Sequence, residues 1–229
     1  MIEKILPSQV AVAEALSDPP DAALFPGEEE LIRKAVEGRR KEFTTARWCA
    51  RRALGELGIA PAPILKGERG APIWPGGVVG SMTHCVGYRA AAIARRADVV
   101  TVGIDAEPHE PLPDGVHETI ALATEQQREL DLRRASPEIH WDRLLFSAKE
   151  SVYKAWFPLT HRWLGFEEAD IVLHSNGSFT AALLISATGP DPAAGATATP
   201  TAFSGRWMVA DGLVVTAIAV ENAPSAPTG

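Results

Sequence analysis

Apolar and polar positions along the chain predict alternating helical and extended segments. Residues 1–27 carry Asp18-Pro19-Pro20-Asp21 and Pro26-Gly27, which predicts a loosely structured lead-in. From Glu28 to Leu57 the pattern turns helical, with acids at the start (Glu28, Glu29, Glu30), Gly58 as a stop and Gly38 as a point of division into two helices. Val78–Cys85, Tyr88–Arg95 and Val99–Glu107 read as strands. After a proline-rich loop at Pro108–Gly115, short helices follow around Val116–Leu122 and Thr124–Arg134, the latter with a capping-box pair, Thr124 and Gln127. Leu144, Leu145, Ala148, Val152 and Ala155 form the apolar stripe of a longer helix that Pro158 limits. Four further strands are expected at Ala169–His174, Ser178–Ile185, Gly205–Ala210 and Leu213–Val220. Ser175-Asn176-Gly177 turns the first pair and Asp211-Gly212 the last. Thr188–Pro200 reads as a flexible loop and Ala223–Gly229 as a disordered tail.

One strand carries chemistry. Val102-Gly103-Ile104-Asp105-Ala106-Glu107 runs as a buried strand and then delivers two carboxylates at i and i+2, on one face. Pro108 places them at a rim, because proline cannot continue a central ladder. Like charges so placed raise each other's pKa unless a cation lies between them, so the pair reads either as a divalent-metal site or as ordinary solvated acids.

Composition narrows the classes. The chain has 229 residues, 46% of them hydrophobic and 22% charged, enough for one large domain or two small ones. A net charge of −7 excludes a general nucleic-acid binder, although a local basic pocket for a phosphorylated ligand remains open. Cys49 and Cys85 make no disulfide framework. With no leader and no long apolar segment, the expectation is a cytoplasmic protein, with no membrane partner.

The basic residues of the first helical region concentrate at Arg39, Arg40, Arg47, Arg51 and Arg52. Arg40, Arg47 and Arg51 share a stripe, either as a solvated face paired to Glu42 or Glu56 or as an anion clamp. Trp74, between glycines and prolines, offers a surface on which a base could stack, or a buried structural indole. Ser81 and His84 could be nucleophile and base, but no G-x-S-x-G elbow surrounds the serine, which leaves a structural histidine or phosphate recognition. Glu150 and Lys154 lie four apart, the spacing of an ordinary helical ion pair.

Together, V-G-I-D-A-E at 102–107 and F-S-A-K-E-S-V-Y-K-A-W at 146–156 resemble the two signature motifs of the Sfp-type 4'-phosphopantetheinyl transferases, in their actinobacterial form. The resemblance extends to R-R-K-E-F-T-T-A-R-W-C-A-R, I-L-K-G-E-R-G-A-P-I-W-P, V-G-S-M-T-H-C-V-G-Y-R and W-F-P-L-T-H-R-W-L-G-F-E-E-A, and covers roughly residues 28–220. Phe146 stands where many relatives have Trp, and Ser151 where Ala is frequent, while the matching catalytic positions Lys149, Glu150 and Lys154 are intact.

The resemblance implies an α/β (α+β) fold of two similar halves related by a pseudo-twofold axis, divided at 105/106, with coenzyme A between them. The N-terminal half would take the 3'-phosphate and adenine, and the C-terminal half the metal and the carrier protein. It implies transfer of 4'-phosphopantetheine from coenzyme A to a serine of apo acyl or peptidyl carrier proteins, releasing 3',5'-ADP. These carriers belong to fatty acid, polyketide or nonribosomal peptide synthases. Asp105, Glu107 and Glu150 would hold Mg²⁺ (or Mn²⁺), an all-oxygen set suited to a hard cation. Glu150 would also serve as base, and Lys154 would offset charge at the transferring phosphate. Arg39 and Arg47 match the 3'-phosphate contacts, and Lys66, Gly70, Pro72, Ser81 and His84 further coenzyme A contacts. Arg39 and Arg47 are about 80° apart on an ideal helix, so sharing one phosphate requires Arg39 at or before the helix start, near Gly38. The double-length chain implies a monomer. The carrier is expected to dock on Leu112–Leu122, through exposed Leu112 and Val116. The competing classes are a metal-dependent phosphohydrolase acting on coenzyme A or a related nucleotide, and a non-catalytic carrier-binding protein.

Overall fold

A computed structural model describes residues 1–185 and 200–222, so the expected flexible loop at 188–200 and the tail at 223–229 lie almost entirely outside the described residues. The first correction comes at the N-terminus. Ile2 and Ile5 are buried in a short 3-10 turn, and β1 (Val10–Ala15) is a full strand. The alternation of small and apolar residues there is weak in sequence because tertiary pairing, and not local pattern, makes the strand. The helix of the next segment begins at Glu37, so α1 (Glu37–Glu56) contains Gly38 in its first turn and is not divided by it. Glu28 precedes a separate 3-10 turn and does not cap a helix. Gly58, at φ +70°, ends α1 as expected.

Strands β2 (Val78–Cys85) and β3 (Tyr88–Arg95) form an antiparallel hairpin, and β1 adds to β3, giving the order β1-β3-β2. β4 (Val99–Pro108) belongs to a second sheet. Then come α2 (Val116–Ile120), α3 (Ala123–Ala135) and α4 (Trp141–Thr160). The last strands are β5 (Ala169–His174), β6 (Ser178–Leu183), β7 (Ala202–Ala210) and β8 (Leu213–Glu221), in a five-stranded antiparallel sheet of order β4-β8-β7-β6-β5. The fold is mixed α/β, with α1 packed against the first sheet and α4 against the second. The 105/106 division falls inside β4, which pairs with β8. The Asp211-Gly212 turn has positive φ at both residues, as a tight hairpin demands. The cap of α3 differs from expectation: Glu125, not Gln127, reaches back to the Leu122 N–H. Pro158 sits inside the last turn of α4, which continues to Thr160. No described helix is long and apolar enough to cross a membrane.

β4 is an edge strand, which accommodates Pro108. On its open side it lies beside β2, the edge of the other sheet, and two hydroxyls bridge the gap. Ile104 N–H donates to Ser81 Oγ (3.1 Å) and Ala106 N–H to Thr83 Oγ1 (3.0 Å). These pairings run in parallel, residue for residue. Apolar residues of both sheets (Val79, Tyr88, Ala92, Ile104, Val215) share one core cluster behind the seam.

On its other face β4 meets α4 at very short range. A Cβ on Gly103 would fall onto the Ser151 carbonyl and within 2.7 Å of Ala155 N. Gly103 is therefore a contact position, where backbone packs on backbone. Replacing it by alanine forces β4 and α4 apart, and overpacking of this kind costs roughly 1–3 kcal/mol or more. Gly103→Ala should lose about 3 kcal/mol in urea denaturation and lose activity with it. Unaltered stability would contradict the packing described.

Candidate active site

The close approach of β4 and α4 sets one line of polar contacts. Thr101 Oγ1 donates to the Ala155 carbonyl (2.8 Å), and Arg143 Nη1 pairs with Glu107 (3.1 Å). Between them Lys154 Nζ donates to the Ile104 carbonyl (3.1 Å) and to Asp105 Oδ1 (2.7 Å). Asp105 and Glu107 do share a face, at the rim of the sheet. Arg143, which sequence reading passed over, is the cation beside Glu107. Its i,i+7 spacing from Glu150 was visible as a helical stripe but not assigned.

Charge in this region is uncomfortable. Burial and the Asp105 carboxylate push Glu107 up to about 7, against the pull of Arg143. Burial likewise raises Glu150, which Lys154 partly offsets. Asp105 Oδ2 is buried with no hydrogen-bond partner among the described residues. Among the described residues no three His, Cys, Asp or Glu side chains already converge as a metal cage.

A cavity of about 590 Å³, lined by α1, residues 66–77, β2 and α4, falls within the usual range of ligand pockets. Arg39, Arg47, Lys66, Gly70, Pro72, Ser81, His84, Glu150 and Lys154 all line it, whereas Asp105 and Glu107 stand behind Lys154 and outside the lining. Arg39 lies in the first turn of α1, near Gly38, and both it and Arg47 reach the cavity. Arg47 is buried, its guanidinium stacked on Phe43 (3.3 Å) and its Nε on the Ile64 carbonyl (2.9 Å). Lys66 approaches the same ring (5.2 Å). Burial, with Arg51 and Arg39 nearby, brings Arg47 down to about 10 despite Glu28. Lys66 and His84 are lowered for the same two reasons, burial first and neighbouring arginines second.

The arginine stripe divides in the structure. Arg51 is an internal ion-pair partner of fully buried Glu28 (2.9 Å), and Arg40 caps the Ile32 carbonyl. Glu28 also takes the Phe25 and Ile64 N–H groups, which explains why a residue of an acidic run is interior. His84 is not a general base for Ser81. Arg39 Nη1 contacts His84 Nε2 (2.5 Å), and Ser81 Oγ is the acceptor for Ile104. Trp74 combines both readings: it lines the cavity while its Nε1 donates to the Gly80 carbonyl (3.0 Å). Tyr153, Phe157 and Arg69 add to the wall and were not foreseen.

Two expectations are corrected. Lys149 is turned away from the cavity and buried, its ammonium bound to Glu125 (2.8 Å) and to the Phe166 (2.6 Å) and Ala169 (3.0 Å) carbonyls. It joins α3, α4 and β5, and its neighbour Glu150, about 100° around the helix, faces the cleft. Leu112 is buried as well. Its N–H donates to Asp142 (2.9 Å) and its side chain joins Ile120 and Trp141 in the core, while Val116 packs partly against them. Leu112 therefore offers no exposed docking surface.

With this geometry in hand, comparison with known proteins is direct. Residues 27–94 match the 4'-phosphopantetheinyl transferase N-terminal domain and residues 101–206 the 4'-phosphopantetheinyl transferase superfamily. The chain is 51% identical to 4'-phosphopantetheinyl transferase Svp of Streptomyces mobaraensis, across 100% of this chain and 91% of that one. Identity to 4'-phosphopantetheinyl transferase Npt of Nocardia iowensis is 52%, covering 96% and 99%. To 4'-phosphopantetheinyl transferase PptT of Mycobacterium tuberculosis it is 49%, covering 95% and 97%. The chain belongs to the 4'-phosphopantetheinyl transferase family, a class of transferases.

Adjacent residues of α4 should give opposite results. Lys149→Met strands the buried Glu125 carboxylate and should cost about 3 kcal/mol or more. Glu150→Gln removes a charge that burial disfavours, and should leave stability within about 1 kcal/mol of wild type. Urea denaturation of both variants checks the assignment.

Proposed function

We propose that this enzyme transfers the 4'-phosphopantetheinyl group of coenzyme A to a serine of an apo acyl or peptidyl carrier protein. The reading rests on the family and on one observation: a single cavity carries four basic groups at one side and the Glu150–Lys154 pair at the other. Burial first, and neighbouring arginines second, lower Arg47, Lys66 and His84, and an oligophosphate would offset both. In this reading Arg39 and Arg47 hold the 3'-phosphate, and Lys66, Gly70, Pro72, Ser81 and His84 border the rest of the nucleotide. The N-terminal half, to about residue 105, would serve the nucleotide, and the C-terminal half the metal and the carrier.

A hard divalent cation fits the carboxylates around Lys154, with Glu150 in the cavity lining and Asp105 and Glu107 outside it. Asp105 Oδ2 is buried without a partner among the described residues, and Glu107 and Glu150 both carry raised pKa values that a cation would reverse. Asp105, Glu107 and Glu150 would hold Mg²⁺ or Mn²⁺ through oxygen alone. When bound, the ion would neutralise charge on the pyrophosphate and orient it for displacement. The chain's own groups account for the remainder. The carrier serine oxygen bonds to the β-phosphorus, the bond from that phosphorus to the ADP oxygen breaks, and 3',5'-ADP departs. Glu150, which lines the cavity beside Lys154, accepts the serine proton. Lys154 stands at the cavity wall to offset charge on the transferring phosphoryl group.

The decisive assay incubates the protein with coenzyme A, Mg²⁺ and an apo carrier and reads the carrier's intact mass. Phosphopantetheine should add to the serine, and Glu150→Gln should slow the transfer by about 10²-fold or more. Coenzyme A hydrolysis with an unmodified carrier would instead identify a phosphohydrolase.

A pH dependence also follows. Burial and Arg39 hold His84 below its ordinary value, so it is neutral at pH 7 in the free protein. A bound phosphate favours the imidazolium, so coenzyme A binding takes up a proton and tightens as pH falls from about 8 to 6. Calorimetry in buffers of different ionisation enthalpy should show this uptake, and His84→Ala should abolish it.

A further inference from the structure

Thr83 bridges the two sheets through the Ala106 N–H, and its position gives it a second role. It is buried on β2, directly beside the strand that carries the carboxylates. Its Oγ1 accepts the Ala106 N–H at 3.0 Å. A hydroxyl has one proton to give, and here it points to Asp105 Oδ1 at 3.3 Å. The amide thus fixes the rotation of the hydroxyl, and the hydroxyl in turn fixes the carboxylate.

The other groups at Asp105 complete the argument. Oδ1 takes both the Thr83 hydroxyl and Lys154 Nζ (2.7 Å), whereas Oδ2 is buried and has no hydrogen-bond partner among the described residues. Asp105 itself is 4% exposed, so solvent does not satisfy Oδ2 from outside. Leaving such an oxygen without a partner is costly, and two donors stacked on its twin are what keep the carboxylate from rotating to relieve it. The opposite residue on β8, Thr216, is engaged with Ser147 of α4.

We infer that Thr83 is a positioning residue that locks the Asp105 carboxylate with Oδ2 presented as a metal-ligating oxygen. This rests on the reading of Asp105 as a metal ligand given above. Ser81, two residues earlier, makes the matching bond to Ile104 but none to a carboxylate, so the pairing of amide and acid is particular to Thr83. Hydrogen bonds of this kind behind a ligand typically change metal affinity by about 10–100-fold when removed.

The test is a Mn²⁺ titration of the purified protein followed by electron paramagnetic resonance of the free ion, with no other ligand present. Thr83→Val keeps the shape and removes the hydroxyl, and should raise the Mn²⁺ Kd about tenfold. Thr83→Ser keeps the hydroxyl and should stay within about twofold of wild type. A residue that merely held the sheets together would lower the melting temperature of Thr83→Val without altering Mn²⁺ affinity, and that result overturns the proposal. So does a serine variant as weak as the valine one. Asp105→Asn separates the layers of the argument. If it loses Mn²⁺ while Thr83→Val does not, Thr83 fails and Asp105 stands; if Asp105→Asn binds as wild type, the ligand assignment fails and Thr83 falls with it. Should Thr83→Val not fold, Thr83→Ala decides the matter by the same criteria.

Discussion

The absence of a side chain at Gly103 is the constraint on which the site depends. Backbone meets backbone there, at a separation where an added Cβ would fall onto the Ser151 carbonyl oxygen. Only at that separation can Lys154 reach both a strand carbonyl and a strand carboxylate, and Arg143 a second carboxylate further along. A methyl group at this point would not remove any functional atom, yet it would displace all of them together. Precise function here is inherited from close packing, which transmits a small steric change over the length of a helix.

The cleft is polar in an asymmetric way. Burial, with neighbouring arginines second, lowers the proton affinity of the cations on one wall, and burial raises that of Glu150 in the lining and of Glu107 outside it. Each arrangement costs folding free energy when the cleft is considered alone. Both costs would be relieved by the same kind of complex, the polyphosphate and divalent cation of the proposed function. Local rules of good protein construction are broken where the protein meets its substrate, which is where such violations are expected to persist.

Much of the fold was legible because it is written in local terms. The strands at 78–85, 88–95 and 99–108 and the two C-terminal hairpins carry their own periodicity and turn residues, and the structure places them within a few residues of expectation. β1 was illegible because its partner, β3, lies some eighty residues away and its own residues are mostly alanine and valine. Glu28 looked like a helix-start acid, and only the fold shows it as the internal counterion of Arg51. Lys149 and Glu150 are adjacent in a motif but point about 100° apart, so the linear string mixes a buried ion-pair residue with one that lines the cavity. Leu112 followed a proline and seemed exposed, but Asp142 draws its backbone inward. Thr83 carries no sequence signal at all, since its importance arises from a neighbour on another sheet.

Glu28 bears a final consequence. By occupying Arg51 completely, it lets a helix dense with arginine bury one face before any ligand arrives. The protein therefore supplies its own first anion, and a ligand is asked to answer only the charges that remain at the cavity surface. Folding and the proposed recognition thereby draw on different cations: Glu28 neutralises Arg51 inside the protein and lies 3.9 Å from Arg47, while Arg39 and Lys66 keep their charge at the cavity.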